Sequence, residues 1–314
     1  MTGREGKGVN GKPAPAAAEV SLQERLAAYV ALLRPRQWTK NGFVLAGVVF
    51  SGLFTDPVAL ATALAACLVF CLISSAGYVY NDMRDREEDR LHPVKCHRPL
   101  AAGTVSLGEA RALLVLLLTG ALAGGFSLGT SFGGLVLLYF LWTVAYSRWL
   151  KNVVLIDLIS LAAGFVLRAA AGAMAVGVGI SPWLLICTTL LSLFLGLGKR
   201  RHELLLLETQ AGAHRAALDD YSPELLNQLL ATVTAATLVS YSVYTFTAGH
   251  GLYMMLTIPF VLFGLFRYLY LIYRRDLGGS PEEVLLTDKQ LLADVILWGL
   301  AVLAVLYLNG RGIV

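Results

Sequence analysis

Charge is what this chain has least of. Only 15% of its 314 residues are Asp, Glu, Lys or Arg, against about 25% in soluble globular domains, and 57% are hydrophobic. An ordinary soluble domain is excluded. Cysteine is equally sparse: Cys67, Cys71 and Cys187 fall within apolar runs and Cys96 in a polar loop, so no disulfide framework is implied. Residues 1–20 are rich in Gly, Ala and Pro and lack an apolar h-region. They read as a disordered tail, not a cleaved signal peptide, ahead of a single polytopic domain over residues 21–314.

What the chain does have is apolar runs near the length that crosses a bilayer as a helix, about 20 residues. They lie near 40–54, 58–80, 110–128, 132–147, 153–176, 182–198, 227–248, 252–273 and 290–308. The expectation is an all-α integral membrane protein with nine transmembrane helices. Lys and Arg crowd into alternate gaps, which by the positive-inside rule makes the N-terminus cytoplasmic. The basic excess, a net charge of +4, thus reports topology and not nucleic-acid binding. The protein belongs in the cell inner (cytoplasmic) membrane, with the long charged loops facing the cytoplasm. Its oligomeric state stays open, a homo-oligomer included.

Order is expected to begin at Ser21, which with Glu24 fits a capping box. Leu22, Leu26, Tyr29 and Leu33 follow at helical spacing, as in an amphipathic helix lying on the membrane face. Ser222-Pro223 and Ser280-Pro281-Glu282-Glu283 read as further helix starts. The two long charged loops follow the second and sixth spans, four helices apart, which hints at a diverged repeat and at two loops sharing one opening.

The first of these loops reads YNDMRDREEDRLHPVKCHRP, residues 80–99. Asn81, Asp85 and Asp89 are spaced by four and stack on one face if the second span continues helically, with Asp82 one residue round the turn. Carboxylates and amide oxygens are what Mg²⁺ selects, in company with substrate phosphates. Asn81, Asp85 and Asp89 are therefore the candidate metal ligands, and Asp82, Asp85 and Asp89 the candidate catalytic acids. Lys95 and Arg98 follow as phosphate binders. The competing view is a solvated loop in which Arg84, Arg86 and Arg90 pair with the acids at helical spacing. A zinc site from His92, Cys96 and His97 lacks the usual paired spacing.

The pattern N-D-x-x-D-x-x-x-D continued by HPVKCHRPLAAG resembles the UbiA superfamily of intramembrane prenyltransferases, over nearly the whole chain from Leu32. The resemblance implies nine helices around a central cavity, with Mg²⁺-diphosphate bound at this motif. Members that prenylate aromatic rings carry a second aspartate motif after helix six, but here that place reads LGKRRHELLLLE. Lys199, Arg200 and Arg201 stand where acids are expected, with Glu203 and Glu208 nearby. That departure, with LLRPRQWTKNG at 32–42, YSRWLKNVVLID at 146–157 and GFVLRAAAGAMAVG at 164–177, is similar to one branch of the superfamily. In that branch the diphosphate is carried by a soluble sugar, PRPP, and a polyprenyl phosphate is the acceptor, in the making of cell-envelope glycan precursors.

Three phosphate groups call for Lys and Arg as well as metal, so Lys199, Arg200, Arg201 and Glu203 join the candidate substrate site. Lys40 and Asn41, at the cytoplasmic start of the first span, are further phosphate contacts. Arg168 lies deep in the fifth span and either binds substrate or pairs with a carboxylate. Two rivals remain: an aromatic prenyltransferase using a prenyl diphosphate, and a transporter with Arg168 as its pathway marker.

Overall fold

The computed structural model describes residues 21–209, 220–249, 252–275 and 277–313; the expected tail, residues 1–20, lies outside them. The described chain is helical, without strands. Helix α1 spans Leu22–Leu33 and a 3₁₀ segment Pro35–Leu45, followed by α2 Ala46–Phe50, α3 Pro57–Arg84, α4 Arg86–Leu91 and α5 Pro99–Ala102. Then come α6 Leu107–Leu128, α7 Thr130–Arg148, α8 Ile156–Ala175, α9 Pro182–Thr209, α10 Pro223–Thr247, α11 Ile258–Arg275, α12 Pro281–Thr287 and α13 Lys289–Gly310.

Eight helices among the described residues are long and apolar enough to cross a membrane. They coincide with eight of the nine expected runs. The run near 40–54 takes another form, the 3₁₀ segment of eleven residues leading into the five of α2. At about 2.0 Å per 3₁₀ residue and 1.5 Å per α residue the two together reach about 30 Å, the hydrocarbon thickness. Pro35 opens the 3₁₀ segment and Gly42 lies within it, whereas Gly47 falls inside α2. The stretched form still has the reach to cross.

Its path is dictated by α8, the most enclosed of the long helices. A β-carbon at Gly172 would sit 1.8 Å from the Val44 carbonyl oxygen, and one at Gly47 2.6 Å from the Ala173 Cα. Small residues at a membrane helix contact let backbones approach this closely. On one side of α8, α3 packs with α6 and α7 around Phe70, Phe132 and Val136; on the other, α9, α10 and α11 pack around Phe194, Leu226 and Tyr268. At the end away from the charged loops, Phe50 of α2 meets Tyr244 of α10 edge to face, and Val49 and Phe50 join the cluster of Tyr241, Met254 and Val302. The two halves are thereby joined.

Local start signals act as their residue types require. Ser21 and Glu24 form a reciprocal capping box, as do Ser106 and Glu109 on α6, and the Ser222 hydroxyl caps α10 ahead of Pro223. Leu22, Leu26 and Val30 form the exposed stripe of α1, while Ala28 and Leu32 are buried against α3. Only Gly129 separates α6 from α7, with φ of 146°.

The close approach over α8 is open to test. Gly172→Ala should cost upwards of about 3 kcal/mol, because the clash is with backbone that no rotamer relieves. Gly134→Ala on α7, with nothing within 4 Å of the added carbon, should be neutral or slightly stabilising. Melting in detergent of both variants decides; equal melting temperatures would contradict the packing.

Candidate active site

Two acids of the first charged loop are withdrawn from solvent, although Arg84, Glu87 and Arg90 stay exposed. Asp82 and Asp89 are 2% and 4% exposed, and each carboxylate meets a base from a different segment. Asp82 Oδ1 receives Arg34 Nη2 at 2.5 Å and Arg98 Nη1 at 3.1 Å. The same Arg98 nitrogen lies 2.7 Å from Asp89 Oδ2. Asp85 takes Lys151 Nζ at 3.0 Å on both oxygens, and the Asn81 amide donates to its Oδ2 at 2.9 Å. Arg86 and Arg90 go elsewhere: both pair with Glu87, and their Nε atoms donate to the carbonyls of Leu100 and Ala101 in α5.

The expected single row is thereby corrected. Helical bonds do carry across the junction, Asp85 N–H to Asn81 O at 2.9 Å and Asp89 N–H to Asp85 O at 2.7 Å. Asp85 itself leaves the helical region, with ψ of 10°. Asp82 is the partner of Asp89 across Arg98, two turns on, while Asn81 pairs with Asp85. No three His, Cys, Asp or Glu side chains gather into a metal-binding group among the described residues, because Arg98 and Lys151 stand between the acids. The donor set, three carboxylates and an amide oxygen, fits a hard cation in kind. Taking one up means releasing Arg98 or Lys151 from their carboxylates.

Two of these bases were missed in sequence. Arg34 ends α1 in the left-handed region (φ 52°, ψ 60°), unusual for a residue with a β-carbon and a form of strain that clusters at functional sites. That turn puts its guanidinium on Asp82 and over the Tyr78 ring at 5.1 Å. Lys151 lies in the link between α7 and α8. Both sit in stretches that stood out in sequence, but spacing along one helix does not reveal partners from another. Lys95 is exposed on a turn whose backbone N–H groups at 94 and 95 donate to His92 Nδ1.

The second loop divides by role. Arg200 is 1% exposed, and its Nε donates to Asp157 Oδ2 at 2.7 Å while Nη1 pairs with Glu203. Asp157, fully buried, also accepts from Tyr221 OH at 2.9 Å, and that hydroxyl in turn accepts Leu155 N–H at 2.8 Å. Leu155 has φ of 63°. The network fixes the link that carries Lys151. Arg200 is therefore a tie between α8, α9 and the start of α10, not the phosphate contact expected of it. Arg201 turns to α10 and α11, donating to Asn227 Oδ1 at 2.8 Å and stacking 4.3 Å over Tyr273. The remaining member of the triplet, Lys199, has its side chain 42% exposed and its Nζ 3.9 Å from Glu203 Oε1.

A second polar tier lies deeper. Lys40 donates to Gln37 Oε1, and Glu282 of α12 reaches both Gln37 and Lys40. Asn41 is fully buried and not at the mouth: its amide donates to Ser74 Oγ at 3.2 Å and its Oδ1 accepts Arg168 Nε at 2.9 Å. Arg168 also donates to Gly164 O and Tyr139 OH, and its guanidinium lies 4.7 Å over the Tyr139 ring. Its hydrogen-bond acceptors are neutral, so the ion pair held open in sequence is not how it is satisfied. An apolar cavity of about 400 Å³ between α7, α8 and α9, lined by Trp142, Val166 and Leu193 among others, has no titratable group and carries none of this chemistry.

The family model described as UbiA prenyltransferase family matches residues 42–284. A decaprenyl-phosphate phosphoribosyltransferase of Corynebacterium glutamicum is 34% identical over 289 residues, covering 88% of this chain and 86% of that protein. One from Mycobacterium tuberculosis is 32% identical, covering 87% and 92%. Among solved structures, a UbiA homolog from Archaeoglobus fulgidus bound to GPP and Mg²⁺ superimposes with a TM-score of 0.70 at 22% identity, over 89% of this chain and 99% of that one. At that identity the likeness establishes the fold.

The tie made by Arg200 predicts a double-variant result. Arg200→Met leaves Asp157 buried without its countercharge and should destabilise by about 3–5 kcal/mol, whereas adding Asp157→Asn removes both charges and should restore most of the loss. Melting in detergent reads both. A native-like melt for Arg200→Met alone would return the residue to ligand binding.

Proposed function

The chain belongs to the UbiA prenyltransferase family, and we propose that within it this protein transfers phosphoribose from PRPP to a polyprenyl phosphate, releasing pyrophosphate. The observation that carries the reading is the division of charge at the polar end. One group holds the family's acids, and the other, where a second acidic motif would bind a prenyl diphosphate, has Lys40 and Lys199, paired with Glu282 and Glu203. The printed names of the relatives point the same way.

In this reading Asn81, Asp85 and Asp89, with Asp82 behind them, are the residues that would hold Mg²⁺. When bound, the metal supplies positive charge facing the leaving diphosphate. Arg98 and Lys151 let go of their carboxylates and take phosphate oxygens instead, so charge pairing is exchanged and not broken. Arg34 keeps Asp82 compensated throughout. Lys40 and Lys199, with Lys95 at the rim, receive the other phosphate groups. The acceptor phosphate is ionised at neutral pH and requires no general base. Attack opposite the leaving group inverts C1 and gives a β-linked product. Because Lys and Arg cluster at this end of the bundle, it faces the cytoplasm, where PRPP would enter, and the product suits cell-envelope glycan synthesis.

Purified protein incubated with labelled PRPP, Mg²⁺ and decaprenyl phosphate should yield labelled lipid and pyrophosphate. With 4-hydroxybenzoate and a prenyl diphosphate it should yield no prenylated ring; prenylation without phosphoribosyl transfer would replace this reading with the aromatic one. Asp85→Asn and Asp89→Asn should each lower turnover at least about a hundredfold, the scale of one preorganised charge, with a cooperative melt retained. Near-native rates in either variant would remove the motif from the chemistry.

A further inference from the structure

The segment before α12 is pressed onto α9. A β-carbon at Gly278 would lie 2.7 Å from the Gly198 carbonyl oxygen, and one at Gly279 2.6 Å from the His202 ring. This contact delivers Glu282 to the tier of Lys40 and Lys199, with its side chain 11% exposed. Burial works to raise its pKa, but Lys40, a backbone hydrogen bond, the Gln37 amide and Lys199 hold the carboxyl below its usual range.

The two carboxylate oxygens differ. Oε1 accepts from the Gln37 amide. Oε2 is buried and has no hydrogen-bond donor among the described residues. Lys40 stands 3.6 Å from it, too far for a hydrogen bond, and donates instead to Gln37 Oε1. Oε2 thus has an ion-pair partner but no hydrogen-bond donor among the described residues, and a buried acceptor without a hydrogen bond is unfavourable.

A ligand that answers both features brings a hydroxyl to Oε2 and an anionic group to Lys40 and Lys199. A phosphorylated sugar carries both; a prenyl diphosphate has no hydroxyl and would set its own charge against the carboxylate. We propose that Glu282 accepts a hydrogen bond from a ribose hydroxyl of the donor and is the residue that selects a sugar diphosphate over a prenyl diphosphate. The proposal rests on the phosphoribosyl reading above and deepens it by naming what recognises the sugar.

The test is equilibrium binding with Mg²⁺, without lipid, to the purified full chain. The ligands are PRPP, its 2-deoxy and 3-deoxy ribose analogues, and pyrophosphate; the proteins are native, Glu282→Gln and Glu282→Ala. Native protein should prefer PRPP over at least one deoxy analogue by about tenfold or more, the scale of one hydrogen bond to a charged group. Both variants should bind PRPP no better than that analogue, with pyrophosphate affinity unchanged. If the variants weaken PRPP, both analogues and pyrophosphate in parallel, Glu282 is a structural clip and the proposal is overturned. No preference in the native protein overturns it without any variant, so a variant that fails to fold does not shield it. Native protein that binds pyrophosphate but not PRPP overturns the phosphoribosyl reading itself, and this proposal with it.

Discussion

A carboxylate withdrawn from water at the mouth of a membrane bundle needs a positive partner, and the architecture of this end follows from where those partners come from. Asp82 draws Arg34 from the end of α1 and Arg98 from the loop after α4, while Asp85 draws Lys151 from the link between α7 and α8. Each pairing ties a separate segment to the end of α3. A further buried pair, Asp157 with Arg200 and Tyr221, sets the link that bears Lys151. Removing one partner from such a set leaves an unmatched buried charge, which is far worse than removing both.

The same pairings carry the function. In the proposed reading Asp85 and Asp89 would hold the metal and Arg98 and Lys151 would turn to the diphosphate, so those bases would serve the empty and the loaded mouth in turn, with charges kept matched. Apart from these, Lys40 pairs with Glu282 and Lys199 with Glu203, and Arg168 is held by neutral acceptors. In the proposed reading, bases at both places suit a donor with a diphosphate and a separate phosphate better than a prenyl diphosphate, whose remainder is hydrocarbon.

Much of this was legible in residue types. Eight spans follow from apolar length, and the caps at Ser21 and Ser222 from hydroxyls placed ahead of helical periodicity. The Asn-Asp motif drew attention to the segment where Asp82, Asp85 and Asp89 meet Arg34, Arg98 and Lys151, but the row read from the spacing of four set Asp82 apart from Asp89. What escaped was long-range. Nothing local says that Arg34 bends back to Asp82, that Lys151 reaches Asp85 or that Glu282 enters the second tier; each depends on how segments distant in sequence pack. Arg200 misled because a basic triplet looks uniform in sequence, whereas on α9 Arg200 pairs with an internal acid, Arg201 turns to α10 and Lys199 stays partly exposed near Glu203. Asn41 misled through depth: adjacent to Lys40, it is nevertheless buried against Ser74 and Arg168, because the 3₁₀ segment carries it down along α3.

The central claim is that this site takes its diphosphate from a soluble phosphosugar. A ligand that binds only the folded state raises its melting temperature by mass action, so the most direct measurement is melting of the purified protein in detergent, without lipid, against PRPP and against geranyl diphosphate at equal concentration. The account predicts a rise with PRPP that largely disappears when Mg²⁺ is removed, and a smaller rise with geranyl diphosphate, which has no second phosphate for Lys40 and Lys199. A strong rise with geranyl diphosphate and none with PRPP would contradict it.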